Sequence, residues 1–145
     1  AMWEKVMETV LYIKSKGLRV GAIGWQAHLR TNSLSEEDLK YLDYLIDWVH
    51  QHDLEFHVTE LNLWVKEEIT DLDSIHKIQN DLYTKLINKL ISKKDNGVVA
   101  LNFWGLKTRS GQSKQNKTIF SLFNEANEPN PVMKKVTECL KILSN

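Results

Sequence analysis

A single cysteine in 145 residues rules out an internal disulfide, and two prolines with six glycines leave little that reads as flexible linker. Charge of neither sign dominates. Lys and Arg number 19, as do Asp and Glu, so the zero formal charge points away from nucleic acid and from an anionic membrane as partners. No apolar run reaches the roughly 20 residues needed to cross a bilayer, and the chain does not open on a signal-peptide pattern. Internal repeats and low-complexity tracts are missing too. What is present, 42% apolar and 26% charged residues, is the composition of a soluble globular protein with room for one core. Cys139 lies on an apolar stripe and reads as a buried structural thiol.

The apolar residues switch between helical and strand periods. Trp3, Val6, Met7, Val10 and Leu11 follow helical spacing, and Gly17 supplies a stop. Val20 to His28 reads as a strand. Ser35-Glu36-Glu37-Asp38 is a capping-box pattern opening a helix through Leu39, Leu42, Leu45, Ile46 and Val49. A second strand is expected from about Glu55 to Leu61, then a long helix from about Leu72 to Ser92. Asp95-Asn96-Gly97 marks a turn before a third strand, about Val98 to Trp104. A polar loop fills Lys107 to Lys117. Asn130-Pro131 then stands as N-cap and first helical position of a last helix through Val132, Val136, Leu140 and Leu143. Strands alternating with helices predict an α/β fold, a parallel sheet under helical cover. In such folds ligands bind at the carboxyl ends of the strands.

Those ends carry chemistry here. Glu60 closes the run Phe56-His57-Val58. Gln26 and His28 share a face if the first strand continues through them, because successive residues face opposite ways. His28 is then placed to donate a hydrogen bond to Glu60, which orients the carboxylate and favours its charged form. Gln26 can donate to a substrate hydroxyl, Trp104 offers an aromatic wall to a sugar ring, and Trp64, in the loop after Glu60, is a further candidate for substrate contact. An ionised carboxylate beside an anomeric carbon is what a retaining glycosidase uses as nucleophile. Each residue taken singly has a plainer reading: a solvated loop glutamate, a satisfied structural histidine, a core tryptophan. His50 and His52, two apart, do not share a helix face, so no metal site is expected. His57 is expected to face the helices, His76 to lie on a helix surface, Trp25 to sit outward under a helix, and Trp48 to pack between helices. Asn116-Lys117-Thr118 fits a glycosylation acceptor, a pattern often matched by chance.

Taken together, these residues resemble glycoside hydrolase family 10, the endo-1,4-β-xylanases. Gly24-Trp25-Gln26-Ala27-His28-Leu29 is similar to that family's sixth-strand motif, and Val58-Thr59-Glu60-Leu61-Asn62 to the seventh-strand motif that carries its nucleophile. Phe103-Trp104-Gly105 resembles the eighth strand. Leu122-Phe123-Asn124, followed by Asn130-Pro131-Val132, resembles the closing motif before the last helix. The resemblance implies part of a (β/α)8 barrel, its C-terminal half, with about three parallel strands and four helices over residues 1–145. It implies Glu60 as nucleophile, His28 as the group orienting it, and Gln26 and Trp104 at the sugar being cleaved. It also implies xylan or xylo-oligosaccharides as substrate, internal cleavage with retention, no cofactor, and a secreted or cell-surface location. Two departures stand out. Asn62 occupies a position where the family usually has aspartate. Thr108 replaces another aspartate, and the loop to Lys117 lacks the family's tryptophan.

A retaining mechanism also requires a second carboxyl group about 5–5.5 Å from the nucleophile. In the family that glutamate follows an asparagine at the end of the fourth strand, and no Asn-Glu pair here has that context. The isolated chain is therefore expected to lack glycosidase activity, and to self-associate or pair with the N-terminal half it lacks, because open strand edges seek partners. The alternative is a non-catalytic carbohydrate-binding or interaction protein derived from the same barrel. A structural α/β domain unrelated to sugars is the third reading, and the joint motif match argues against it.

Overall fold

In a computed structural model, which describes residues 2–66, 71–109 and 117–144, helices and strands alternate along the chain. The helices are α1 (Met2–Ser15), α2 (Glu36–Gln51), α3 (Leu72–Lys93) and α4 (Pro131–Lys141), followed by a short 3-10 turn, Ile142–Ser144. The strands are β1 (Ala22–Trp25), β2 (His28–Arg30), β3 (Glu55–Lys66), β4 (Val99–Phe103) and β5 (Lys117–Phe120). β3 is the central strand. β1 and β4 pair with it in parallel on either side, β2 joins in parallel further along, and β5 runs antiparallel to its far end.

Local sequence explains most element ends. Gly17 takes a left-handed conformation, φ 75, that ends the α1 region at low steric cost. At α2 the Ser35 hydroxyl accepts from the Asp38 N–H (3.1 Å) while Asp38 Oδ2 accepts from the Ser35 N–H (2.9 Å), the reciprocal capping box. Pro131 opens α4 at the position where its missing N–H costs nothing. Phe56 and Val58 of β3, both fully buried, pack into one core with Leu45, Ile46 and Val49 of α2 and Tyr83, Leu86 and Ile87 of α3. Full burial of such a side chain contributes about 1.5–3 kcal/mol.

The structure departs from the sequence expectations in four places. The first strand does not run from Val20 to His28; it stops at Trp25 and resumes as β2 at His28, because Ala27 adopts φ 52 and breaks the extended chain. The second strand does not end near Leu61 but continues to Lys66, so Trp64 belongs to a strand and not a loop. Its extension is paired by β5, which forms at the end of the stretch expected to be polar loop; residues 110–116 of that stretch, Asn116 of the glycosylation pattern among them, lie outside the described residues. His57 does not face the helices. Phe56 and Val58 hold that side, and His57 turns the other way to bond Glu55 Oε2 at 2.8 Å.

Between α2 and α3, Lys89 Nζ reaches Asp43 Oδ1 at 2.6 Å, and Lys93 Nζ reaches Asp43 Oδ1 at 3.1 Å and Asp47 Oδ1 at 2.7 Å. The hydrogen bond from Lys89, with Lys93 adding to it, holds the Asp43 carboxyl below its ordinary value against partial burial. A carboxyl depressed on folding adds stability above its unfolded value, and that contribution is lost as the pH falls below about 4. Urea unfolding at pH 7 and pH 3 should therefore show a smaller acid loss in Asp43→Asn than in the native chain. Equal losses would contradict this assignment.

Candidate active site

One extra residue in β3 creates the site. Trp25 pairs with Val58, but His28 pairs with Asn62; on the other side Leu101 pairs with Val58, but Phe103 pairs with Leu61. On the β4 side the insertion lies between Val58 and Leu61, and on the β1–β2 side between Val58 and Asn62, the mark of a β-bulge. Phe56, Val58, Leu61, Leu63 and Val65 are all buried. Strict alternation from Val58 would send Glu60 to that same side. The bulge instead turns it to the face of Asn62 and Trp64, since a bulge redirects the side chains beside it.

Across from the bulge, the turn at Ala27 brings two side chains onto the same carboxylate. Gln26 Nε2 donates to Glu60 Oε1 at 3.3 Å, and His28 Nε2 lies 3.2 Å from Glu60 Oε2. The left-handed conformation costs an alanine about 1–2 kcal/mol. It also means that strand alternation is not what unites Gln26 and His28.

Asn62 completes the arrangement. It is fully buried, its Oδ1 lies 2.9 Å from His28 Nδ1, and its Nδ2 donates to the Trp104 carbonyl at 3.4 Å. A carbonyl only accepts, so the Trp104 contact fixes the amide with its oxygen toward the imidazole, and His28 Nδ1 must be the donor there. That leaves His28 Nε2 as the ring nitrogen facing Glu60 Oε2. Trp64 packs its ring 5.2 Å from that of His28. His28 and Glu60 keep about a quarter of their side-chain surface, 25% and 24%, open to solvent.

Trp104 joins through its backbone. Its N–H donates to the Leu61 carbonyl at 3.1 Å, and its carbonyl takes the Asn62 bond. The residue is 57% exposed and lines a depression with Gly105, Lys107, Arg109 and Ile119. Of the residues singled out from sequence, Gln26, His28, Glu60 and Trp64 thus meet in one cluster, and Trp104 is tied to it only through its backbone, by way of Leu61 and Asn62. Sequence reasoning noted Asn62 only as a departure. The alternation of positions 60, 62 and 64 was the available signal that it shares their face. The remaining histidines serve elsewhere: His50 Nε2 lies 3.1 Å from the Val98 carbonyl, and His52 stacks on Trp48 with ring centres 4.0 Å apart.

The model of glycosyl hydrolase family 10 matches residues 2–139. The chain belongs to this family. Among solved structures it is similar to xylanase 10B from Thermotoga maritima, with TM-score 0.81 and 20% identity over 95% of this chain and 42% of that one. It is also similar to xylanase 10B from Thermotoga petrophila RKU-1, solved in complex with xylobiose, with TM-score 0.76 and 22% identity over 99% of this chain and 42% of that one. A third likeness is to the family 10 xylanase of Thermobacillus composti, with TM-score 0.77 and 20% identity over 95% of this chain and 48% of that one. At these identities the likeness is one of fold: this family 10 chain has the α/β architecture of part of a (β/α)8 barrel, and spans less than half the length of these relatives. No curated protein sequence matches it.

Replacing Asn62 by leucine keeps the bulk but strands the His28 N–H and the Trp104 carbonyl. Leaving such groups unsatisfied costs about 1–3 kcal/mol. Urea denaturation of Asn62→Leu should show that loss, and an unchanged midpoint would show that the amide holds nothing in place.

Proposed function

We propose that this chain is the C-terminal, nucleophile-bearing portion of a retaining endo-1,4-β-xylanase barrel, acting on xylan or xylo-oligosaccharides. The observation that carries this reading is the Glu60 carboxylate, held by Gln26 at 3.3 Å and His28 at 3.2 Å yet open to solvent. A nucleophile needs a fixed orientation and a free approach, and this arrangement supplies both. Glu60 attacks the anomeric carbon, the glycosidic oxygen leaves with a proton from an acid, and water later releases the sugar with configuration retained. That acid must stand about 5–5.5 Å away. The groups that contact Glu60, Gln26 and His28, are an amide and an imidazole; we place the acid/base in the remaining part of the barrel, a reading under which the isolated chain is inactive.

The same remaining part covers the open surfaces. β1 and β4 each present an unpaired edge among the described residues, and Ile87, Leu90, Val99, Leu101, Phe103 and Leu143 line an apolar groove beside β4. A barrel closes by pairing such edges; left open, they draw in a second copy. With the polymer as substrate, we place the enzyme outside the cell or on its surface, because polymeric xylan does not enter cells.

In a completed barrel, Glu60→Gln should reduce xylan turnover by several orders of magnitude while xylo-oligosaccharide affinity changes little, because the amide keeps the shape and loses the nucleophile. Reducing-sugar release and calorimetry check the two halves of that statement. Near-native turnover would reject the role of Glu60, and turnover by the isolated chain would reject its dependence on the rest of the barrel.

A further inference from the structure

A second hollow lies on the helix side of the strands that carry the site. Trp25 is on the same side of β1 as the buried Ile23, so it turns toward the helices and away from Gln26. There Trp25, Trp3 of α1 and Tyr41 of α2 line a pocket of about 220 Å³. Buried Leu29, Leu34 and Leu42 supply its apolar lining, and Ser33 and Asp38 its polar one. His28 borders both this pocket and the Glu60 cluster. Trp3 and Trp25 are only partly buried and Tyr41 is 38% exposed, so the rings keep surface for a ligand.

The polar groups are set in place by their neighbours. Ser33 Oγ accepts from the Arg30 N–H at 2.8 Å, which leaves its own O–H to donate. Asp38 Oδ2 takes both capping bonds from Ser35, each 2.9 Å, so Oδ1 is left to accept. The loop between them is strained. Leu34, buried, is held at φ 58, a left-handed conformation that is an outlier for a bulky side chain. Ala27, at φ 52, bends the chain between Trp25 and His28, which both line the pocket. Strain of this kind collects where packing shapes a backbone around a ligand.

The pocket falls below the roughly 300–1,000 Å³ of drug-sized sites, so it suits a single small ring. Glu36, Glu37 and Asp38 in the first turn of α2 disfavour an anion. A cation would meet Asp38 but lose its hydration against the leucines. A purely apolar ring would leave the Ser33 hydroxyl and the Asp38 carboxylate without partners of their own. A neutral pyranose meets every condition. Its C–H groups pack on the electronegative faces of the aromatic rings, and its hydroxyls donate to Asp38 and accept from Ser33. We propose that this pocket holds one neutral pyranose unit of xylan, apart from the cleft in which the bond is broken. The proposal rests on the xylan reading above and adds a second hold on the chain, which raises the local concentration of substrate at the cleft.

Titration of the isotope-labelled chain with xylobiose, followed through the indole N–H signals by NMR, tests it. The Trp3 and Trp25 signals should move saturably while that of Trp48 stays in place. Tyr41→Ala should weaken the binding about fivefold, the scale of one lost aromatic contact, and Tyr41→Phe, which keeps the ring, should bind as the native chain does. Unmoved Trp3 and Trp25 signals, or native affinity in Tyr41→Ala, would overturn the pocket. So would tetramethylammonium or cyclohexanol moving those two signals at lower concentration than xylobiose, which would mark a cation site or a plain apolar hollow. Movement of the Trp64 and Trp104 signals alone would put the sugar in the cleft only, so that the pocket fails and the xylan reading stands. Silence at every indole would overturn the pocket, and turnover by the completed barrel decides whether the xylan reading falls with it.

Discussion

The site depends on a one-residue surplus in the central strand. After Val58, β3 gains a residue on its neighbours, before Leu61 on the β4 side and before Asn62 on the β1–β2 side, and that surplus decides whether Glu60 points into the core or into the open. An unpaired carboxylate buried against α2 and α3 would cost several kcal/mol. On the other face it meets an amide and an imidazole. The bulge therefore turns a group that would destabilise the core into one that is available for chemistry. The left-handed Ala27 is the matching irregularity on the adjacent strand: both depart from ideal strand geometry, and together they aim three side chains at one point.

Behind this first layer the polar groups are satisfied in series. Asn62, held by the Trp104 carbonyl, sets which nitrogen of His28 donates backward and leaves the other for Glu60. An amide performs this orienting task without adding charge. With aspartate there, the imidazole would be flanked by two carboxylates; with Asn62 it faces one. The electrostatic balance of this cluster therefore differs from the one an aspartate at position 62 would give. The buried group at Thr108, Ser121, Asn130 and Gln79 plays the corresponding part for the rim, fixing the backbone on which Lys107 and Arg109 stand.

Much of this was legible in the sequence, for physical reasons. Helical periodicity and the capping box at Ser35 locate α2, and the α3 stripe from Ile75 to Leu90 locates the longest helix, because amphipathic spacing is a local signal. Strand irregularities are not. Ala27 takes a conformation that glycine or asparagine would have advertised, and alanine does not. The alternation Leu61, Leu63, Val65 was visible and marks the extension of β3, but its partner β5 lies far along the chain in a Lys-rich stretch with no strong strand pattern. The side faced by His57 follows from the greater apolarity of Phe56 and Val58, which claim the core. Family motifs named Glu60, His28 and Gln26; only the fold shows that a bulge and a left-handed turn, not regular alternation, bring them together.

The central claim is that Glu60 forms a covalent bond to the sugar. The most direct measurement uses a fluorinated xylobioside whose glycosyl-enzyme hydrolyses slowly, applied to the completed barrel and followed by peptide mass spectrometry. This account predicts one added disaccharide on the peptide containing Glu60. A label on any other residue, or inactivation by no covalent adduct while xylan is still cleaved, would contradict it.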